Sequence, residues 1–137
     1  MDTNKFRRLM WFAMVIVFIA FLMSMCDKAH SAEVNHFKNS EFSCKHCGKI
    51  VIDSRLIARL EKLRHELGDT PIVITSGYRC PKHNKAIGGA KRSQHCQGKA
   101  VDIKVAHYTP QEVAHFAKMM GFTWVKAYRS WTHLDVR

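Results

Sequence analysis

The stretch Lys99–Val105, with the sequence KAVDIKV, decides the fold because apolar and polar residues alternate along it. Successive side chains of a strand point to opposite faces, so Val101, Ile103 and Val105 share one apolar face. Asp102 lies on the other face, and an aspartate on such an apolar strand is costly unless it is paired or binds a metal. The stretch therefore predicts a strand with the core on one side and a polar site on the other.

The segments before this strand predict a helix, a strand and a loop. Apolar residues recur every three or four positions over 52–67, which predicts a helix that begins after Asp53 and ends at Gly68. Residues 71–75 form a short apolar run and predict a buried strand. The following residues, 79–92, predict a long loop that contains one helical turn.

The segments after the strand complete an α+β fold. Thr109 and Glu112 form a capping box around Pro110, which predicts a second helix. Residues 122–128 and 131–136 predict two short strands joined as a hairpin. We therefore predict a small, mostly antiparallel sheet with two main helices, preceded by a hydrophobic N-terminal export or anchor segment.

The N-terminal segment has the pattern of an export signal. Basic residues precede an apolar run from Leu9 to Met25, and small residues stand before a cleavage point after Ser31. The run is also just long enough to remain in the bilayer as an anchor. A buried core helix fits poorly, because the run has no polar face. The pattern therefore predicts an exported protein, in the periplasm or on the outer face of the inner membrane.

These observations divide the chain into three parts. We expect residues 1–31 to be a signal peptide or membrane anchor, residues 32–43 a linker and residues 44–137 the folded domain. If the first part is not cleaved, it is the contact with the membrane. We expect the protein to be a monomer.

The exported part is strongly basic. Residues 32–137 carry 18 of the 22 basic and 9 of the 11 acidic residues, a formal net charge of +9. Such a charge attracts polyanions, including nucleic acid, anionic lipid and the acidic polymers of a bacterial envelope. The sequence has no arginine-rich run and no recognised nucleic-acid motif, and export argues against nucleic acid as the partner. We therefore expect no nucleic acid as a partner.

Four cysteines follow the N-terminal segment: Cys44, Cys47, Cys80 and Cys96. In an oxidising compartment, four cysteines permit two disulfides in three connectivities, which the sequence does not separate. The pair at 44 and 47, followed by Gly48, looks like half a zinc ribbon. Because a second C-x-x-C is missing, a small staple or a local disulfide fits better.

Two histidines join Asp102 as candidate metal ligands. His95 precedes Asp102 by seven residues, and Gly98 lies between them. A glycine adopts backbone angles that strain other residues, which suits the point where the loop turns into the strand. His133 comes from the last predicted strand, where alternation places it on the same face as Asp135. Two imidazoles and one carboxylate are the ligands of hydrolytic zinc sites, which leave one coordination position open. Any one of these three residues taken alone would be interpreted as an ordinary surface, salt-bridged or half-buried side chain.

The motifs around these residues resemble the zinc-site signature of peptidase family M15, the D-alanyl-D-alanine carboxypeptidase family, which includes peptidoglycan peptidases and phage endolysins. The resemblance covers nearly all of residues 40–137 and is closest to the compact C-terminal type of domain in that family. It rests on Ser93-x-His95-x-x-Gly98-x-Ala100-x-Asp102, His133-x-Asp135, Phe42-x-Cys44-x-x-Cys47-Gly48, Ile74-Thr75-Ser76-Gly77-Tyr78-Arg79-Cys80-Pro81-x-His83-Asn84 and Ile87-Gly88-Gly89-Ala90.

This resemblance implies one zinc ion per chain, held by His95, Asp102 and His133. It also implies that Arg79 reaches into the substrate cleft, where it would pair with a carboxylate of the peptide stem or steady the oxyanion. Ser93 matches a serine that binds substrate or orders the loop.

One departure from the family pattern concerns the general base. Several members carry a carboxylate three residues before the last zinc-binding histidine, and here that position is Ser130. A serine cannot act as a base at neutral pH. Asp135 is the nearest carboxylate in sequence, and we expect it either to take a proton or to orient a ligand histidine.

The function that follows is zinc-dependent hydrolysis of an amide bond in peptidoglycan stem peptides, by a carboxypeptidase or an endopeptidase. One alternative is a non-catalytic, zinc-containing module that binds the cell wall, which the serine at position 130 favours. Another is a membrane-tethered nucleic-acid binder, which the positive charge favours.

Overall fold

The computed structural model describes residues 36–137 and three residues of the N-terminal segment, at positions 11, 14 and 15. The predicted signal or anchor segment, 1–31, therefore lies outside the described residues apart from those three. Among the described residues, no helix is long and apolar enough to cross a membrane.

Residues 36–137 form one four-stranded sheet and three α-helices. Neighbouring strands are antiparallel throughout, in the order β1-β2-β4-β3. The predicted α+β class is confirmed, and the helical turn expected in the loop is a third, short helix. The strands are β1 (Ile72–Ser76), β2 (Ala100–Val105), β3 (Trp124–Ala127) and β4 (Thr132–Asp135); the helices are α1 (Ser54–Glu66), α2 (Pro81–Ala86) and α3 (Pro110–Met119).

The two longer helices begin at the caps that the sequence predicts. The Asp53 carboxylate accepts the backbone N–H of Arg55 at 3.0 Å, at the start of α1. At the start of α3, Glu112 donates its backbone N–H to the Thr109 hydroxyl at 3.3 Å, and its carboxylate accepts the Thr109 N–H at 2.7 Å. These bonds satisfy N–H groups that would otherwise lack partners at the first turn.

The hydrophobic core lies between α1 and one face of the sheet. The apolar stripe of α1 and the inward residues of β2 and β4 are fully buried, namely Leu56, Leu60, Leu63, Val101, Ile103 and Leu134. Helix α3 adds Val113 and Ala117 to the same cluster. The opposite face of β2 and β4 is thereby left for polar side chains.

The described part of the predicted linker, residues 36–43, packs as part of the domain and not as a linker. Phe37 and Phe42 belong to the hydrophobic core. The Phe42 carbonyl accepts the Tyr78 N–H at 2.8 Å, and a Cβ at Gly77 would lie only 2.5 Å from the Phe42 Cα. This close backbone contact explains the glycine and fixes the segment beside the loop that follows β1.

Candidate metal centre

The centre of the site is a pair of residues on adjacent strands. Asp102 on β2 is directly opposite His133 on β4, and Nδ1 of His133 is 2.9 Å from Oδ1 of Asp102. Because their neighbours Val101 and Leu134 are fully buried in the core, the pair lies on the opposite face of the sheet. The predicted alternation of these strands is confirmed.

A 3-10 turn, Gln94–Gln97, brings His95 to this pair. The His95 ring is buried, and its Nδ1 lies 2.7 Å from the Gly77 carbonyl oxygen. A carbonyl can only accept, so Nδ1 carries the proton and Nε2 is left with a free lone pair. The turn ends at Gly98, whose φ is +68° and whose missing Cβ would lie 2.4 Å from the Val51 carbonyl oxygen. Glycine is therefore required there for both reasons.

The three candidate ligand atoms fit one metal ion. Nε2 of His95 lies 3.2 Å from Nδ1 of His133 and 3.3 Å from Oδ1 of Asp102, and the third distance is the 2.9 Å given above. Ligands bound tetrahedrally at about 2.0 Å lie about 3.3 Å apart. The three residues that the sequence names as candidate ligands thus lie together, and two imidazoles and a carboxylate are ligands that zinc accepts.

Arg79 contacts the outer oxygen of the Asp102 carboxylate. Its Nη2 donates to Oδ2 of Asp102, and its Nε donates to the Ser76 hydroxyl at 2.8 Å. Burial alone would raise the pKa of Asp102, but its contacts with the His133 and His95 rings and the charge of Arg79 outweigh this effect and leave the pKa well below its usual range. The carboxylate is thus held ionised, as metal binding requires.

Asp135 approaches the opposite nitrogen of the His133 ring. Its Oδ2 lies 3.5 Å from Nε2 of His133, whereas Nδ1 of the same ring faces Asp102 and His95. Asp135 has no exposed surface, and Arg137 donates to both of its oxygens from Nε at 3.0 and 3.1 Å. The carboxylate therefore sits behind the histidine, on the side away from the ligand atoms.

A cleft of about 560 Å³ opens beside the ligand atoms. Its walls include three aromatic residues, Trp124, Tyr128 and Trp131, and the last two are stacked with ring centres 4.7 Å apart. Its cationic residues are Arg79, Arg92, Lys126 and Arg137. Arg79 and Arg137 pair with the two aspartates of the site. Neither Arg92 nor Lys126 forms an ion pair with a residue that the structure describes.

Ser93, Ser130 and Cys96 are three further residues named from the sequence, and Ser93 is the one that lines this cleft. The Ser93 hydroxyl makes no capping bond to the turn that carries His95. Ser130 is exposed in the turn between β3 and β4. Burial raises the pKa of the Cys96 thiol, which argues against that cysteine as a nucleophile.

Sequence reasoning missed two partners in the cleft. Lys126 on β3 is directly opposite His133 on β4, so pairing the predicted hairpin residue by residue would have found it. Arg137 follows Asp135 by two residues, the spacing at which side chains extend to one face of a strand. The ion pair between Arg137 and Asp135 depends on the burial of Asp135, and the sequence alone does not reveal this burial.

The chain was compared with known proteins. It is 35% identical over 65 residues to the zinc D-Ala-D-Ala carboxypeptidase of Streptomyces albus G, a stretch that covers 47% of this chain and 26% of that relative. The chain thus spans about a quarter of the length of that protein. Among solved structures, it is similar to the L-Ala D-Glu endopeptidase ChiX of Serratia marcescens, with a TM-score of 0.42, 18% identity and coverage of 63% of this chain and 80% of that chain.

A family model described as Peptidase M15 matches residues 35–135. This range contains the three candidate ligand residues, Arg79 and the whole sheet. The match spans most of the chain, and the protein therefore belongs to peptidase family M15.

Proposed function

We propose that this protein is a zinc-dependent peptidase that hydrolyses an amide bond in peptidoglycan stem peptides. The observation that carries the proposal is the convergence of His95, Asp102 and His133, whose ligand atoms lie 2.9 to 3.3 Å apart beside an open cleft. Membership of a peptidase family and the name of the carboxypeptidase relative support the same reading. Zinc bound there would polarise the scissile carbonyl and lower the pKa of a water molecule.

The cationic cleft supports an acidic peptide as substrate. Arg92 and Lys126 lie in its wall without a carboxylate partner among the described residues. Peptide stems carry free carboxylates, which guanidinium and ammonium groups bind by charge-assisted hydrogen bonds. Ser93 adds a hydroxyl on the same wall.

Two residues are assigned roles at the ligands. Arg79 holds the outer oxygen of Asp102 and leaves its Oδ1 toward the histidines. We assign Asp135 as a positioning residue, because it faces the ring nitrogen of His133 that lies away from the other ligands. This arrangement of carboxylate, histidine and metal fixes the ring and raises its basicity. It favours the orienting role for Asp135 over the role of general base.

A non-catalytic, wall-binding module is the second candidate function. The two carboxylates at the described cleft are both engaged, Asp102 with the ligand histidines and Asp135 with Arg137. Since Ser130 occupies the position where several members of the family carry a carboxylate, a dedicated base is missing among the described residues. Such a protein would bind murein without cleaving it.

Digestion of murein sacculi separates these candidates. The full-length chain, loaded with zinc, is incubated with isolated sacculi, and soluble products are identified by mass. A peptidase releases fragments whose masses name the bond, and release is lost in His95→Ala but not in His65→Ala, which changes an exposed histidine on α1. Sacculi that bind the chain but release nothing would favour the wall-binding module.

We also propose that the protein is exported, because its first 31 residues carry the pattern of a signal or anchor. Cell fractionation followed by mass determination tests this. Chain that ends up in the periplasm without the segment, or in the membrane with it, is expected. Intact chain confined to the cytoplasm would contradict export.

A further inference from the structure

A second cluster of metal-ligating side chains lies outside the site described above. The Sγ atoms of Cys44, Cys47 and Cys80 all lie within 4.8 Å of one another. All three cysteines are free thiols, and Cys44 is buried. The disulfide expected from the sequence is therefore not formed among them. A single disulfide joins two sulfurs, so it would leave the third thiol of this cluster unpaired.

Two histidines approach this cluster. Nδ1 of His83 lies 3.5 Å from Sγ of Cys44, and Nδ1 of His46 lies 3.5 Å from Sγ of Cys80. Zinc binds sulfur at about 2.3 Å and nitrogen at about 2.0 Å, so two such ligands at a tetrahedral angle lie about 3.5 Å apart. Each histidine nitrogen thus lies at the distance of a neighbouring zinc ligand from one of the three sulfurs.

Two short segments, residues 44–47 and 80–83, supply the side chains of this cluster, and backbone hydrogen bonds hold each segment in shape. After Cys44 the chain forms a tight turn, in which the Gly48 N–H donates to the Cys44 carbonyl at 2.8 Å and the Cys44 N–H donates to Lys49 at 2.9 Å. In the second segment, Cys80 caps α2, and the His83 N–H donates to its sulfur at 3.4 Å. The sequence is therefore C-x-x-C followed by C-x-x-H. The second segment does not match C-x-x-C because its last residue is a histidine.

A backbone N–H also points at the buried sulfur. The Cys80 N–H donates to Sγ of Cys44 at 3.3 Å. A hydrogen bond from a backbone N–H stabilises a thiolate, the form of cysteine that binds metal.

We propose that Cys44, Cys47, Cys80 and His83 bind a second zinc ion. Four protein ligands close the coordination sphere, so the site is structural and offers no position to substrate. His83 is preferred over His46 as the fourth ligand because it is half-buried on α2, whereas His46 is exposed. The ion would tie the segment after Phe42 to the loop after β1, which carries Arg79 directly beside Cys80. It thereby supports the position of Arg79 without touching substrate.

The test uses zinc content and cobalt spectra of the full-length chain. The wild-type chain should hold about two zinc ions, and His95→Ala should keep about one, at the cysteine cluster. Cobalt in the His95→Ala chain should then give the near-ultraviolet thiolate charge-transfer absorption, which a site of imidazoles and carboxylate cannot give. His83→Ala removes one of four ligands, so it should weaken cobalt binding and shift the rise of this absorption to higher cobalt concentration, and His46→Ala should leave the titration unchanged.

Several outcomes would overturn the proposal. They are the absence of thiolate absorption in the cobalt-loaded His95→Ala chain, a disulfide between two of the three cysteines in the alkylated, unreduced wild-type chain, and weaker cobalt binding in His46→Ala but not in His83→Ala. The disulfide measurement needs no variant, so it remains decisive if a substitution prevents folding. The cobalt spectrum reports on the cysteine sulfurs, whereas the peptidase proposal is tested by muropeptide release. A failure of the zinc–cysteine proposal is therefore distinguishable from a failure of the proposed peptidase.

Discussion

His133 and Asp102 face each other across two adjacent antiparallel strands, with Nδ1 of the histidine 2.9 Å from Oδ1 of the aspartate. One residue comes from the middle of the sequence and the other from its end, so only the pairing of β2 with β4 unites them. A shift of this pairing by one residue would turn one of the two side chains into the core. The metal centre therefore depends directly on sheet register.

Asp135 is expected to act through His133 and not on substrate. In Asp135→Asn, zinc affinity at the site should fall about 10- to 100-fold, because the carboxylate no longer orients the ring. Muropeptide release at saturating zinc should recover most of the wild-type rate, with an unchanged pH profile. A general base would give the opposite result, a rate that stays lost when zinc is saturating.

Lys126, whose Nζ lies 4.8 Å from the centre of the Tyr128 ring and has no carboxylate partner among the described residues, is expected to contribute to substrate binding. Lys126→Ala should raise KM for stem peptides several-fold with a smaller change in kcat, because it removes an attraction that substrate and transition state share. Lys118→Ala, which removes an exposed charge on α3, is the matched control. Equal KM values for the two variants would exclude this role.

Substitution of Gly98 is expected to destabilise the domain for two separable reasons, the positive φ of this residue and its close approach to Val51. Gly98→Ala places a Cβ 2.4 Å from the Val51 carbonyl oxygen at a φ of +68°, and should lower the free energy of unfolding by more than about 2 kcal/mol. Gly88→Ala has a similar φ of +67° with no atom near the added Cβ, and should cost only about 1 kcal/mol. Denaturant unfolding of both variants measures the difference, and equal losses would show that the close approach is harmless.

Asp53 is expected to stabilise the domain in a pH-dependent way. The Arg55 guanidinium and its N–H lower the pKa of Asp53 from 3.8 to about 2, against the effect of burial. A lowered folded-state pKa adds stability above the unfolded value, and this stability is lost as the pH falls from about 4 to about 2. Asp53→Ala should cost about 1 kcal/mol near neutral pH. The difference from wild type should shrink in that acidic range, and a difference that is constant with pH would contradict the assignment.

The sequence predicts the regular elements well because their signals are local. Alternation at 99–105 and the caps at Asp53 and Thr109 depend on residues a few positions apart, and the structure confirms each of them. The same alternation predicts which side chains of β2 and β4 face the site. These predictions need no knowledge of which strands pair.

The parts that were missed depend on contacts between distant residues. Phe37 and Phe42 stand in a polar segment that reads as a linker, and only packing against the core reveals their role. Arg79 and Asp102 are 23 residues apart, and His83 meets Cys44 across 39 residues. Local patterns carry no information on such pairings, so the sequence predicts a staple or a local disulfide at Cys44 and Cys47 and does not predict their cluster with Cys80.

The most direct test of the central claim is zinc add-back to the metal-free, full-length chain, with muropeptide release from sacculi as the readout. Release should be absent without zinc, rise to a plateau as zinc is added, and stay absent in His133→Ala at every zinc concentration. Release by the metal-free chain, or release by His133→Ala that matches the wild type, would contradict a zinc peptidase built on His95, Asp102 and His133.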